Sequence, residues 1–475
     1  MNQASCPHRL RPRLRCLAGL VLLLISLTAC TPGSVPEWFS DLQGLISPLP
    51  TPVPTSSTPK PPPTATPLPT TLPTATPVSR EVNLTLWVPD ILDPNAATNG
   101  AEAFGAQVAD FDRASYEINV EVLVKRGTGA GGLYDLLSTA SYVAPAIVPD
   151  LLILSQQELL KAAREGLIQP LDDYMPSDAG YFPTALEAMA TEEGLWAFPY
   201  VATAEQMAYR PTMTLTAPIT WTAVLSQAYS LVLPGAPPDG LASDALLSMY
   251  IGAGGRVVDD KGQPTLDRTV LEKVYGFILD LQEVGLLDAE QVLDLTDTAS
   301  CWAALLEGRA QLAPVSVSAY WNPRLAALSG ADASSAPEVP VTPADVVLPI
   351  WIPTESGAPV TILHTWGIAV TTSDPVRKEA ALELVRWLVS AQRMADLTRT
   401  ASLVPTRHQV VATWGLPPDE EAFIITLLES SVSPPPANAD ATVRRALQAG
   451  LTTILQGDAV TADASASQAL ANLRR

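Results

Sequence analysis

From Ser47 to Ser79 the chain is almost entirely Pro, Thr, Ser and Ala, with twelve prolines and no apolar residue bulkier than Leu. Such a segment lacks the apolar surface needed to offset the entropy of folding and is expected to be a solvated, polyproline-like spacer. At about 3.1 Å per residue it would reach on the order of 100 Å. It divides the chain into a short N-terminal part and a C-terminal part of nearly 400 residues. Only the latter is long enough to bury a sizeable core.

The N-terminal part is patterned for export. Arg9, Arg11, Arg13 and Arg15 precede an apolar run from Leu17 to Leu27, followed by the small residues Thr28 and Ala29. The apolar run is about half the roughly 20 residues needed to span a bilayer core, so residues 1–29 are expected to be a removable secretory signal peptide. Leu27-Thr28-Ala29-Cys30 resembles the lipobox of bacterial lipoproteins, which implies cleavage before Cys30 and lipidation of that residue. Several acyl chains on one residue give a stable anchor where a single chain does not. Residues 30–46 then form a membrane-proximal segment, in which Glu37 to Ile46 carries Trp38, Leu42 and Leu45 on one side.

Loss of the leader removes Cys6 and Cys16, and lipid would occupy Cys30, so Cys301 stands alone in the mature chain and no intrachain disulfide is possible. It is expected to be a buried small hydrophobe. Without the four leader arginines the balance is 24 basic against 49 acidic residues, a net charge of −25. That excludes ordinary nucleic-acid binding. It suits a protein working beside an anionic membrane, attached by its lipid alone.

Beyond Arg80 strands and helices alternate. Val82 to Val88 and Glu117 to Val124 read as strands, the second with Ile118, Val120, Val122 and Val124 on one face. Ala101 to Ala114, Leu133 to Val143 and Gln157 to Glu165 read as helices, the last stopped by Gly166, and Leu151 to Leu154 as a short buried strand. Repeated units of this kind predict an α/β fold with a parallel or mixed sheet. Further on, Asp374 caps a helix with Pro375 at its first position and Ala381, Leu384, Val385 and Leu388 as its apolar stripe.

A series of local signatures then resembles the extracellular solute-binding proteins typified by the maltose-binding protein. The strand Leu84-Thr85-Leu86-Trp87 is followed by Val148-Pro149-Asp150-Leu151-Leu152 and by Ala163-Arg164-Glu165-Gly166 leading to Pro170-Leu171-Asp172-Asp173-Tyr174. Next come Gly194 to Tyr200, Ile219-Thr220-Trp221, Gly254-Gly255, Leu305 to Leu312, Trp366-Gly367-Ile368-Ala369-Val370 and Pro405-Thr406-Arg407. The resemblance covers about residues 81 to 475. Arg210-Pro211 departs from the Asn-Lys usual in the family, and His364-Thr365 from a pair of glycines.

The resemblance implies a type II periplasmic-binding-protein-like fold over residues 80–475, with two α/β lobes joined by crossing strands and closing on a solute. Lobe 1 is expected at about 80–200 and 314–366, and lobe 2 at about 203–313 and 367–475. The crossings are expected near Pro199 to Thr203, Pro314 to Trp321 and His364 to Ile368. As a function it implies the substrate-binding lipoprotein of an ABC importer, monomeric and extracytoplasmic, delivering a sugar or oligosaccharide to separate permease subunits. A surface sensory or interaction module with the same fold is the alternative.

A sugar cleft needs aromatic faces together with polar groups. The aromatic candidates are Trp321, placed at the end of a strand running from Leu312 to Tyr320, then Trp366, Trp87 and Tyr200, the last two equally suited to packing between lobes. The polar candidates are Asp90, Ser155, Glu205 and Arg444, while Trp196, Trp221 and Trp387 are expected to be structural. Gly127, Gly129 and Gly132 satisfy GxGxxG but follow the second strand of the domain, and Asp150 precedes the next strand where a ribose-binding acid should end it, so a loop beside the cleft is expected. His364 and His408 are the only histidines of the mature chain, and there is no HExxH, GxSxG or GxxxxGK[ST]. Neither a metal, a cofactor nor a catalytic residue is expected.

Overall fold

The computed structural model describes residues 81–96, 99–115, 117–175, 179–211, 216–328, 346–457 and 460–474. The leader, Cys30, the 30–46 segment and the 47–79 linker lie outside them.

The strands expected from alternation form where the pattern places them. Val82–Pro89 pairs in parallel with Ile118–Lys125 along its whole length, and with Leu151–Ser155 through Leu86 and Trp87. Leu151, Leu152, Ile153 and Leu154 are wholly buried, as a continuous apolar run requires when helices cover both faces of a sheet. Two antiparallel neighbours, His364–Val370 and Phe198–Thr203, complete a mixed six-stranded sheet closed at one edge by Val404–Pro405. Helices 99–114, 133–143 and 156–164 follow the parallel strands. Gly166, at φ +68°, supplies the left-handed turn that stops the third. Asp374 accepts from the backbone N–H groups of Val376 at 3.0 Å and Arg377 at 2.9 Å, starting helix Pro375–Leu388, whose Ala381, Leu384, Val385 and Leu388 are all buried.

A second, three-stranded antiparallel sheet sets Glu205–Tyr209 between Leu312–Ser316 and Leu348–Ile350. Each sheet has its own apolar core. The first holds Leu84 through Ala204, then Val317, Trp321 and Leu325, then Leu363 through Leu428. The second holds Met207 through Val315, then Ile350, Ile352 and Ile362, then Val443 through Ala469.

The chain thus changes core at Ala204–Glu205, at Ser316–Val317, between Leu325 and Ile350, at Ile362–Leu363, and a fifth time between Leu428 and Val443. The third and fifth of these passages correct the expected division. Residues 350–362 belong to the second lobe rather than the first, and 368–428 to the first rather than the second. An amphipathic helix shows the same stripe whichever core it covers, so periodicity carries no information on the assignment.

The expected strand from Leu312 to Tyr320 is also corrected. It ends at Ser316, and residues Val317–Leu328 are helical. Ser316 Oγ accepts from the backbone N–H of Ala319 at 3.1 Å, a cap that outweighs the β-leaning composition of the following residues.

Candidate functional site

The crossings bring the ends of both sheets to one place, and a recess of about 490 Å³ opens there against the second lobe. Its lining includes Glu205 from the first crossing, His364 from the third, the turn Pro237 to Asp244, residues Thr296 to Thr298, and Asp440 and Arg444 at the start of the long helix Asp440–Gln456.

Four of these side chains form one hydrogen-bonded network. Asp244 Oδ2 lies 2.8 Å from His364 Nε2, and its Oδ1 accepts from Arg444 at 2.6 Å. Arg444 also donates to Asp440 Oδ1 at 2.7 Å and to the Ala242 carbonyl at 3.0 Å, so three of its nitrogens are engaged. Glu205 accepts from the backbone N–H of Ala245 at 3.1 Å, in the first turn of helix Asp244–Gly252, and from the Thr298 hydroxyl.

Protonation follows from this packing. Burial, and then the Asp244 charge, push the Glu205 carboxyl up to about 7. Burial would raise Asp244 as well, but His364 and Arg444 outweigh it and hold it below the usual carboxylate range. His364 is raised, because its contact with Asp244 outweighs the opposing effect of burial.

Of the predicted site residues, Glu205 and Arg444 meet in this recess. Asp90, Ser155 and Trp366 gather instead on the first lobe, Asp90 and Ser155 at the carboxyl ends of parallel strands and Trp366 near the start of the antiparallel strand beside Ser155. Trp366 pairs with Ser155 across the sheet and is half-buried. A Cβ on Gly127 would lie 3.0 Å from the far edge of the Trp366 indole and 3.1 Å from Asp90 Oδ1, so any larger residue there would require the ring, the carboxylate or the 127–132 loop to give way. The loop is tied down by bonds from Gly127 N–H to Asp90 and from Gly129 N–H to Glu158, both 3.2 Å.

Trp321, Trp87 and Tyr200 do not reach the cleft surface. Trp321 is 1% exposed, donates to Gln206 Oε1 at 3.0 Å and packs edge-on against Tyr320. The strand-to-helix change at Ser316 turns it into the core. Trp87 is 4% exposed beneath Lys125, and Tyr200 is fully buried, its hydroxyl without a partner among the described residues.

Sequence reasoning passed over Asp244, Asp440 and Thr298 as site residues and took His364 only as a departure from the family pattern. Asp440 and Arg444 stand four apart on one helix, a local signal that was available. Asp244 and His364 are 120 residues apart, and no spacing rule joins them. The other departure, Arg210, has a structural role: it donates to the carbonyls of Leu305 and Leu306 at 3.0 and 2.8 Å and caps the end of helix Thr298–Leu306. Among the described residues no group of three His, Cys, Asp or Glu is placed to hold a metal ion.

Solved structures share this architecture at low identity. The sugar-binding protein MalE from Xanthomonas citri matches with a TM-score of 0.62 at 18% identity, over 83% of this chain and 97% of that one. The cyclic alpha-maltosyl-1,6-maltose binding protein from Arthrobacter globiformis gives 0.61 at 14%, over 82% and 98%. Maltose-bound MalE3 of T. maritima gives 0.60 at 18%, over 83% and 99%. A sequence comparison with curated proteins finds no match. The family model for bacterial extracellular solute-binding proteins matches residues 97–395. With two lobes on crossing strands and a polar recess where they meet, the chain belongs to the bacterial extracellular solute-binding proteins.

Proposed function

We infer that this protein is the capture component of an ABC importer, anchored outside the cytoplasmic membrane through lipid on Cys30, and that it holds a carbohydrate between its lobes. The observation that carries the reading is the placement of the recess. Glu205 and His364 sit on two of the crossings about which such lobes close, and both contact elements of the second lobe. The half-buried Trp366 lies two residues beyond His364 on the same strand, hence on the same face, and supplies an aromatic surface on the first lobe. The sugars named for the structural neighbours support a carbohydrate. A permease and an ATPase on separate chains would complete the importer.

Intrinsic tryptophan fluorescence titrated with a panel of mono- and oligosaccharides tests the reading. A saturable change with a sugar is expected. Silence across sugars, polyols, amino acids and glycerol phosphates would sink it. Globomycin-sensitive processing tests the anchor separately.

A further inference from the structure

Resting on the capture function just given, the wall chemistry of the recess narrows the class of solute. Four aspartates, Asp239, Asp244, Asp297 and Asp440, line it together with the carboxyl of Glu205, against one guanidinium and one imidazole. Both cations are committed to the protein. Arg444 is engaged by Asp440, Ala242 and Asp244, and His364 Nε2 by Asp244. The hydroxyl of Thr298 is spent on Glu205. Pro234, Pro237 and Pro238 bring no backbone N–H, and the N–H groups of Leu241 and Ala242 are bonded to Asp239 and to the Arg444 carbonyl.

Asp239 and Asp297 stand at the exposed rim and, among the described residues, carry no cationic partner. A neutral sugar needs donors and acceptors together, and an anionic one needs a free cation. Beside the hydroxyls of Ser243 and Thr296 and Nδ1 of His364, this wall offers chiefly acceptors and net negative charge. We propose that the recess takes a polyhydroxylated solute bearing a cationic amine, an amino sugar or amino-oligosaccharide, with the ammonium held against the second-lobe carboxylates. The ammonium finds charge-assisted acceptors there, while the neutral hydroxyls face the first-lobe surface around Trp366.

Calorimetric titration of the full-length protein in detergent, at low ionic strength and pH 7, would compare deacetylated glucosamine oligosaccharides with their N-acetylated forms, maltooligosaccharides and oligogalacturonates. The deacetylated series is expected to bind about tenfold or more tightly than the acetylated one. Asp239→Asn, which keeps an oxygen for the Leu241 N–H, should lower that preference severalfold without changing the melting temperature. Equal binding of the acetylated and deacetylated series, or tightest binding of the galacturonates, overturns the inference and leaves sugar capture standing. Binding of spermidine with no binding of any sugar supports the cationic site and overturns the carbohydrate reading. Silence toward all of them overturns both.

Discussion

His364 Nε2 lies 2.8 Å from Asp244 Oδ2, joining the strand that re-enters the first lobe to the first turn of a helix in the second. Its consequence is a pH dependence whose sign is fixed. His364 is raised above its ordinary 6.5, so its contribution is complete below that value and is lost as pH rises through the folded pKa. Glu205, raised from 4.5 to about 7, keeps a proton in the folded state that the unfolded chain has released, so stability falls as pH rises across that window. Asp244, lowered from 3.8, contributes above that value and loses its contribution only as pH falls below it. The melting temperature should therefore rise between pH 8 and pH 6, and Glu205→Gln should flatten the profile. An unchanged slope in that variant would remove Glu205 from the account.

Arg444 is 7% exposed and holds two carboxylates. Arg444→Met should cost about 3 to 5 kcal/mol in urea denaturation, because Asp440 loses its only ion-pair partner among the described residues and Asp244 keeps only His364. A loss below about 1 kcal/mol would place the network's weight elsewhere.

Trp321→Ala should act on stability rather than on recognition. Removing a ring that is 1% exposed and hydrogen-bonded to Gln206 is expected to cost about 3 to 5 kcal/mol, with solute affinity unchanged under conditions where the variant is folded. Selective loss of affinity in a fully stable variant would return Trp321 to the cleft.

Gly127→Ala places a methyl group 3.0 Å from the Trp366 indole and 3.1 Å from Asp90. The expected outcome is an altered emission spectrum in the unliganded protein, weaker sugar binding, and an overpacking penalty of about 1 to 3 kcal/mol. A Gly127→Ala protein with native emission would show that the loop yields instead of the ring.

The parallel part of the large sheet was legible because each strand carries its own signature: alternation in Ile118–Lys125, an unbroken apolar run at Leu151–Leu154. Caps were legible for the same reason, since Asp374 and Pro375 act within one turn. What escaped depends on tertiary context. Ser316 looks like a strand residue until its hydroxyl caps the next helix, and that single change moves Trp321 from the cleft to the core. Glu205 and Arg444 were found as candidates, yet Asp244, which pairs with Arg444 and immediately precedes the Ala245 whose N–H donates to Glu205, is reached only through folding: Arg444 meets it across 200 residues and His364 across 120.

The strand His364–Val370 starts with an imidazole in the recess and carries an indole two residues later on the first-lobe floor. Two residues of extended chain span about 7 Å, a length set by covalent geometry and indifferent to how far the lobes have closed. The strand thus works as a fixed ruler along the recess: the interval from imidazole to indole is the same however the two lobes stand.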